Sequence, residues 1–270
     1  PMNRSILVLA AGAAIGTYLY TTRDAKASDK PTDDPTTGLP ELPTPEHVPG
    51  ADLDSNWGST PEELRPLFIA MERISGIDGA ARIFSVISFR EAIRWKIKAH
   101  NTEPVEVDAS KRSIENNRGR NPKLKYEDEA AAFGSGGLFG ALAPYFLWTG
   151  VPEIGKRAPL LDAPPDIMFE PRFAAFGAMV YLKRLVKNHK LVDHLDIKVG
   201  WANPSILRKG AGEKYEKIRT RFAQDAAKVG VDLNDTSTIP AVLNADAWPG
   251  ILPVYRQITG DNNYEFARAV

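Results

Sequence analysis

The sequence predicts a mainly α-helical domain, carried behind a hydrophobic N-terminal helix and a proline-rich linker. Three observations predict it. Apolar residues recur at helical spacing in several stretches between residues 60 and 230. No run alternates apolar and polar residues as a half-buried strand would. An uncharged segment at 5–22 precedes a stretch dominated by Pro, Asp and Thr.

The composition narrows the chemistry. With 270 residues and 43% hydrophobic content, the chain is long enough to bury a real core. Lys+Arg and Asp+Glu are both 34, so no global field draws the chain to nucleic acid or to an acidic surface. It has no cysteine, which excludes disulfides, a thiol nucleophile and thiolate metal sites. Its four histidines are scattered and make no metal-ligand motif. No metal and no cofactor are therefore expected.

In order along the chain, residues 5–22 (SILVLAAGAAIGTYLYTT) lie between Arg4 and Arg23. A helix of that length spans about 27 Å, enough for a bilayer core. Gly12 and Gly16 form a small-residue face on which membrane helices pack, and Tyr18 and Tyr20 suit an interfacial belt. Residues 1–23 are thus expected to form an anchor, in a membrane or in a helical bundle. Ala25-Lys26-Ala27 resembles a signal-peptide cleavage site and supplies the rival reading. Residues 24–58 read as a linker partly extended by its prolines.

The domain is expected at 59–230. Thr60, Pro61 and Glu63 spell a capping box that opens a helix running to about Ile74. A second helix over Ala80–Trp95 places Ile83, Phe84, Ile87, Ile93 and Trp95 on one face, with Asp78 as its N-cap. The polar stretch 100–128 reads as an exposed insertion. Phe133–Phe146 is glycine-rich and then apolar; lacking a Lys-Ser/Thr pair and a preceding strand, it is no phosphate loop. Phe169–Asn188 and Glu213–Val229 are amphipathic helices. Residues 231–270 are expected to form an extension packed on the domain.

Glu91 is the residue with chemical interest. Near the buried face of an apolar helix, a carboxylate is costly to desolvate and stays protonated, as a general acid must. The plainer reading puts it on the solvated face, paired with Arg94 or Lys96.

The order of these segments resembles the lytic transglycosylases of the lysozyme-like superfamily. Arg90-Glu91-Ala92-Ile93-Arg94-Trp95 is similar to the family's R-E-S-x-F/W, which follows an apolar helix. Gly137-Leu138-Phe139-Gly140 is similar to G-L-M-Q. Gly177, Tyr181 and Leu182 match a long helix bearing a Tyr-Leu pair. Gly200-Trp201-Ala202-Asn203-Pro204 is loosely similar to an A-Y-N-A-G turn. The likeness covers roughly 65–230, with Ala92 in place of Ser, Gly140 in place of Gln and extra residues between the acid and the Gly-Leu segment.

The resemblance implies a lysozyme-like fold and cleavage of the MurNAc–GlcNAc β-1,4 bond of peptidoglycan, with Glu91 as the catalytic acid and base. The sugar's own C6 hydroxyl would be the nucleophile, so one carboxylate suffices. Gly137 and Leu138 would line the groove, Tyr181 and Asn203 would bind sugar or orient Glu91, and Trp95 and Trp201 would stack on sugar faces. Packing or a turn cap is the alternative for Tyr181 and Asn203, and a core role the alternative for Trp95 and Trp201. A hydrolase would need a second carboxylate; Asp108, Glu127 and Asp128 in the insertion, and Glu129 just after it, are the candidates. The implied partners are peptidoglycan strands and other virion proteins, with no nucleic acid, at the cell envelope, facing the periplasm, or in a bacteriophage particle. Two alternatives remain: a degenerate lysozyme-like domain that binds glycan or builds structure, supported by the missing Ser and Gln, and an anchored helical scaffold without a sugar site.

Overall fold

The computed structural model describes residues 57–75, 79–189, 191, 193–209, 212–231, 233 and 250–261. The expected anchor, nearly all of the linker, Asp78 and most of the C-terminal extension lie outside the described residues. Among the described residues no helix is long and apolar enough to cross a membrane. The fold is mainly helical, as the periodicity expects.

A short 3-10 turn at Glu62–Leu64 leads into α1 (Arg65–Ser75). The expected capping box does not form: Thr60 is buried and shares a 2.7 Å hydrogen bond with the Ser85 hydroxyl instead of capping the helix. That hydroxyl ties α1 to the next helix, α2 (Ala80–Glu91). α2 presents Ile83, Phe84, Val86 and Ile87 to the core on more than one face, so it is walled in rather than amphipathic. It stops at Glu91, four residues short of the expected end. Ile93 and Trp95 therefore leave the helical face they were assigned, and Ile93 is 41% exposed.

The stretch 100–128 is the largest departure from expectation. It is not irregular: α3 (Pro104–Asn117) occupies half of it, with Pro104 in the first turn where no amide is needed. α4 (Glu127–Phe133) packs across α3. Around them lie three two-residue strands, too short to show alternation in sequence. These are β1 (His100–Asn101), β2 (Ser135–Gly136) and β3 (Ala141–Leu142), antiparallel in that order. His100 faces Gly136, Asn101 faces Ser135, and Ser135 in turn faces Leu142. Helices α3 and α4 are thus an excursion between two neighbouring strands.

Two short helices, α5 (Ala143–Leu147) and α6 (Val151–Ile154), precede the central α7 (Pro171–Asn188). α7 buries Ala175, Phe176, Met179, Val180 and Leu182 and touches α1, α8 and α11. α8 (His194–Ala202) and α9 (Pro204–Lys209) follow, then α10 (Glu213–Val229), which starts and stops where its amphipathic pattern does. The last described helix, α11 (Ile251–Thr259), lays Tyr255 edge-on against Phe176 at 5.2 Å and so seals the far side of α7.

Phe84 sits at the junction of α2 with the glycine turn, edge-on to Phe139 at 5.7 Å. Phe84→Ala is expected to cost about 3–5 kcal/mol, through lost burial and a residual cavity. Urea unfolding followed by circular dichroism will read this as a lower midpoint at unchanged slope.

Candidate active site

Glu91 is the last residue of α2, and its side chain is 24% exposed, so solvent reaches it. The chain turns over it at Gly137–Gly140. The Ser88 hydroxyl, one turn earlier on α2, donates to the Leu138 carbonyl at 2.8 Å and docks that turn on the helix. Gly137 has φ 73°, and a Cβ there would meet the Met168 carbonyl at 2.3 Å. Gly140 has φ 59°, and a Cβ there would stand 3.0 Å from Glu91 Cβ and 3.4 Å from its Oε2. The glycines are therefore required twice, for left-handed backbone and for contact distance.

The electrostatics of Glu91 differ from expectation. It is neither enclosed in apolar surroundings nor paired with Arg94 or Lys96. Lys198, on α8 and only 4% exposed, donates from Nζ to Glu91 Oε1. The carboxylate is one half of an ion pair whose cation is the buried partner. Arg90 turns away to Asp225 of α10 at 3.6 Å.

α8 is held firmly for this task. Asp193 caps it, accepting from the amides of Leu195 at 2.9 Å and Asp196 at 3.3 Å. Arg219 of α10 joins Asp193 to buried Asp196, which also accepts from the Tyr215 hydroxyl. Burial pushes the Asp193 carboxyl up, but the Arg219 guanidinium outweighs it and holds it below the usual carboxylate range. Burial first, and then the hydrogen bond to Asp196, push the Tyr215 phenol up to about 12.

The residues expected to bind sugar divide into two groups. Gly137 and Leu138 lie in the docked turn, but the residue of that turn against Glu91 is Gly140; Leu138 is fully buried and its carbonyl is taken by the Ser88 hydroxyl. Tyr181 and Trp201 meet edge to face at 5.0 Å, with Trp201 also against Phe84 and Phe139, so together they form a wall of the core. Burial raises the Tyr181 phenol, whose hydroxyl donates to the Gly200 carbonyl at 2.8 Å. Trp201 belongs to α8 rather than to a turn. Asn203 is the break after α8, where its Oδ1 accepts from the Ser205 amide at 2.9 Å and hydroxyl at 2.7 Å. It is a cap. Trp95 is half-buried, with its indole N–H on the Ser85 carbonyl at 2.9 Å.

A second carboxylate does lie in the former insertion, but it is none of the four expected ones. Asp108, Asp128 and Glu129 are exposed, and Glu127 pairs with Arg118 at 3.7 Å. Glu106, on α3, is 3% exposed and hydrogen-bonded to Ser135 of β2. Burial lifts its carboxyl above the usual range; the Ser135 bond opposes this, and the charges of Glu103 and Glu91 add to it. Lys198 and Glu106 both escaped the sequence reading. The only signal for Lys198 was a cation inside an otherwise apolar run. Glu106 carried none, because its neighbours read as surface. Among the described residues no three His, Asp or Glu side chains converge as a metal site.

The chain matches no known protein family, no curated protein and no solved structure.

Because folding favours the neutral form of Glu106, its ionisation opposes the fold. Stability from this group is intact below the ordinary glutamate value and is lost as pH rises through the raised one. Relative to wild type, Glu106→Gln is expected to gain stability steadily as pH rises from 4 to 8. Paired denaturation curves across that range check it; a constant difference refutes it.

Proposed function

We propose that the chain cleaves peptidoglycan glycan strands as a lytic transglycosylase of the lysozyme-like superfamily, with Glu91 as its catalytic carboxylate. The observation that supports the reading is the placement of Glu91. It is a solvent-reached carboxylate at the end of a walled-in helix, under a glycine turn that rises from a small antiparallel sheet. That turn is the segment whose sequence is similar to the family's Gly-Leu motif.

In this mechanism the Lys198 pair is the resting arrangement, and Glu91 takes up a proton before it can give one. The proton passes to the glycosidic oxygen as the C1–O bond breaks. Glu91, again a carboxylate, removes the proton of the C6 hydroxyl while that oxygen bonds to C1 and closes an anhydro ring. Holding the hydroxyl on the same sugar supplies the advantage of an intramolecular nucleophile. Residues 5–22 would anchor the domain at the cell envelope or within a virion, where local opening of the wall serves genome delivery.

One observation favours the second reading, a degenerate lysozyme-like domain that binds glycan or builds structure. The Glu91–Lys198 pair spends the carboxylate on joining α2 to α8.

Full-length protein and Glu91→Gln incubated with sacculi distinguish the two. Released 1,6-anhydro-muropeptides from wild type alone, with a loss of at least about a hundredfold in the variant, are expected. Sacculi bound but uncut by both proteins would establish the degenerate domain.

A further inference from the structure

The residues just past Glu91 depart from ordinary backbone conformation. Ile93, Arg94 and Trp95 have φ of 48°, 61° and 61°, three left-handed residues in a row without a glycine. L-residues resist that conformation, and a β-branched isoleucine resists it most. Ile93 is also 41% exposed, so its side chain gains only part of what full burial would give.

What holds the turn is visible. The Trp95 indole donates to the Ser85 carbonyl at 2.9 Å, and its ring rests on Phe89 at 5.0 Å. With Trp95 pinned to α2, the left-handed run throws Ile93 and Arg94 outward. Lys96 and Lys98 follow and are exposed as well. From Ile93 to Ala99 the chain carries three cations and no acid. Among the described residues no ion pair engages Arg94, Lys96 or Lys98.

The segment also borders the site. The Ala99 carbonyl accepts from the Gly137 amide at 2.9 Å, and Gly140 lies against Glu91. Residues 93–99 and the glycine turn are thus two adjoining edges around one carboxylate. Strained backbone gathers where a fold holds a chain for use, and unpaired cations at such an edge select anions.

We propose that Ile93–Lys98 is a subsite for the carboxylates of the peptide stems that branch from the glycan, with Arg94, Lys96 and Lys98 as the recognising cations. The proposal rests on the reading of Glu91 as the cleaving carboxylate. It gives the protein a preference for peptide-bearing over naked strands.

The test compares full-length wild type with the Arg94→Ala/Lys96→Ala/Lys98→Ala variant on two soluble substrates. One is glycan strands with their peptides, and the other is the same strands after an amidase has removed them. The three side chains are exposed, so the variant is expected to melt with wild type. Its KM for peptide-bearing strands should rise about tenfold at low salt with kcat little changed, and the difference should fade near 0.5 M salt (roughly a 4 Å screening length). Its KM for naked strands should stay that of wild type. An unchanged KM on peptide-bearing strands, or an equal rise on both substrates, overturns the subsite while cleavage stands. A wild-type chain that leaves both substrates intact overturns cleavage and the subsite with it.

Discussion

Everything near Glu91 depends on how closely one turn of backbone can approach the end of one helix. Residues 137–140 reach α2 because the Ser88 hydroxyl fixes the Leu138 carbonyl and because no side chain intervenes at Gly137 or Gly140. A single methyl at Gly137 would strike a carbonyl; one at Gly140 would crowd Glu91 itself. The turn can be this exact in position only because Met168, Phe84 and Phe139 are buried beneath it, at the density of a protein interior. The three small strands follow from the same approach. They start where the chain must come up to the turn and end where it leaves.

A second constraint comes from the opposite side. Lys198 is buried, and a buried ammonium without a partner is strongly destabilising. Glu91 is its partner. The carboxylate is thus tied to the packing of α8 as well as to the end of α2. α8 is itself fastened to α10 by Arg219 across Asp193 and Asp196. Charge on one helix is in this way referred to charge on another, and the ionic links, not only apolar contact, set the register between α2, α8 and α10.

The sequence was legible where packing and pattern coincide. α10 was read to its ends because one polar face and one apolar face alternate at helical period, and Gly230 supplies the left-handed residue that closes it. α7 was nearly so. α3 was missed for a definite reason: its buried side is Glu106, Ala109, Ser110, Ser113 and Ile114, which carries little hydrophobic signal and hides a carboxylate. The end of α2 was overrun because Ile93 and Trp95 fit the helical period, and nothing local announces that a tryptophan will be drawn back to Ser85. Around Glu91, the apolar helix that leads to it and the glycine-rich run at 134–140 were legible as segments. Lys198 and Glu106 were not, since each owes its role to a partner more than twenty residues away.

The turn at Ile93–Trp95 runs in the hand natural to D-amino acids. Glycine is achiral and would sit there with less strain than the residues present. At Ile93 and Arg94, then, whose side chains do not hold the turn as Trp95 does, folding and side-chain identity pull in opposite directions. Mutational drift governed by stability alone would erode the turn toward glycine or asparagine. Homologues under that drift would keep the backbone path and lose the side chains, so an isoleucine and an arginine persisting at this turn would mark lineages in which those side chains are used.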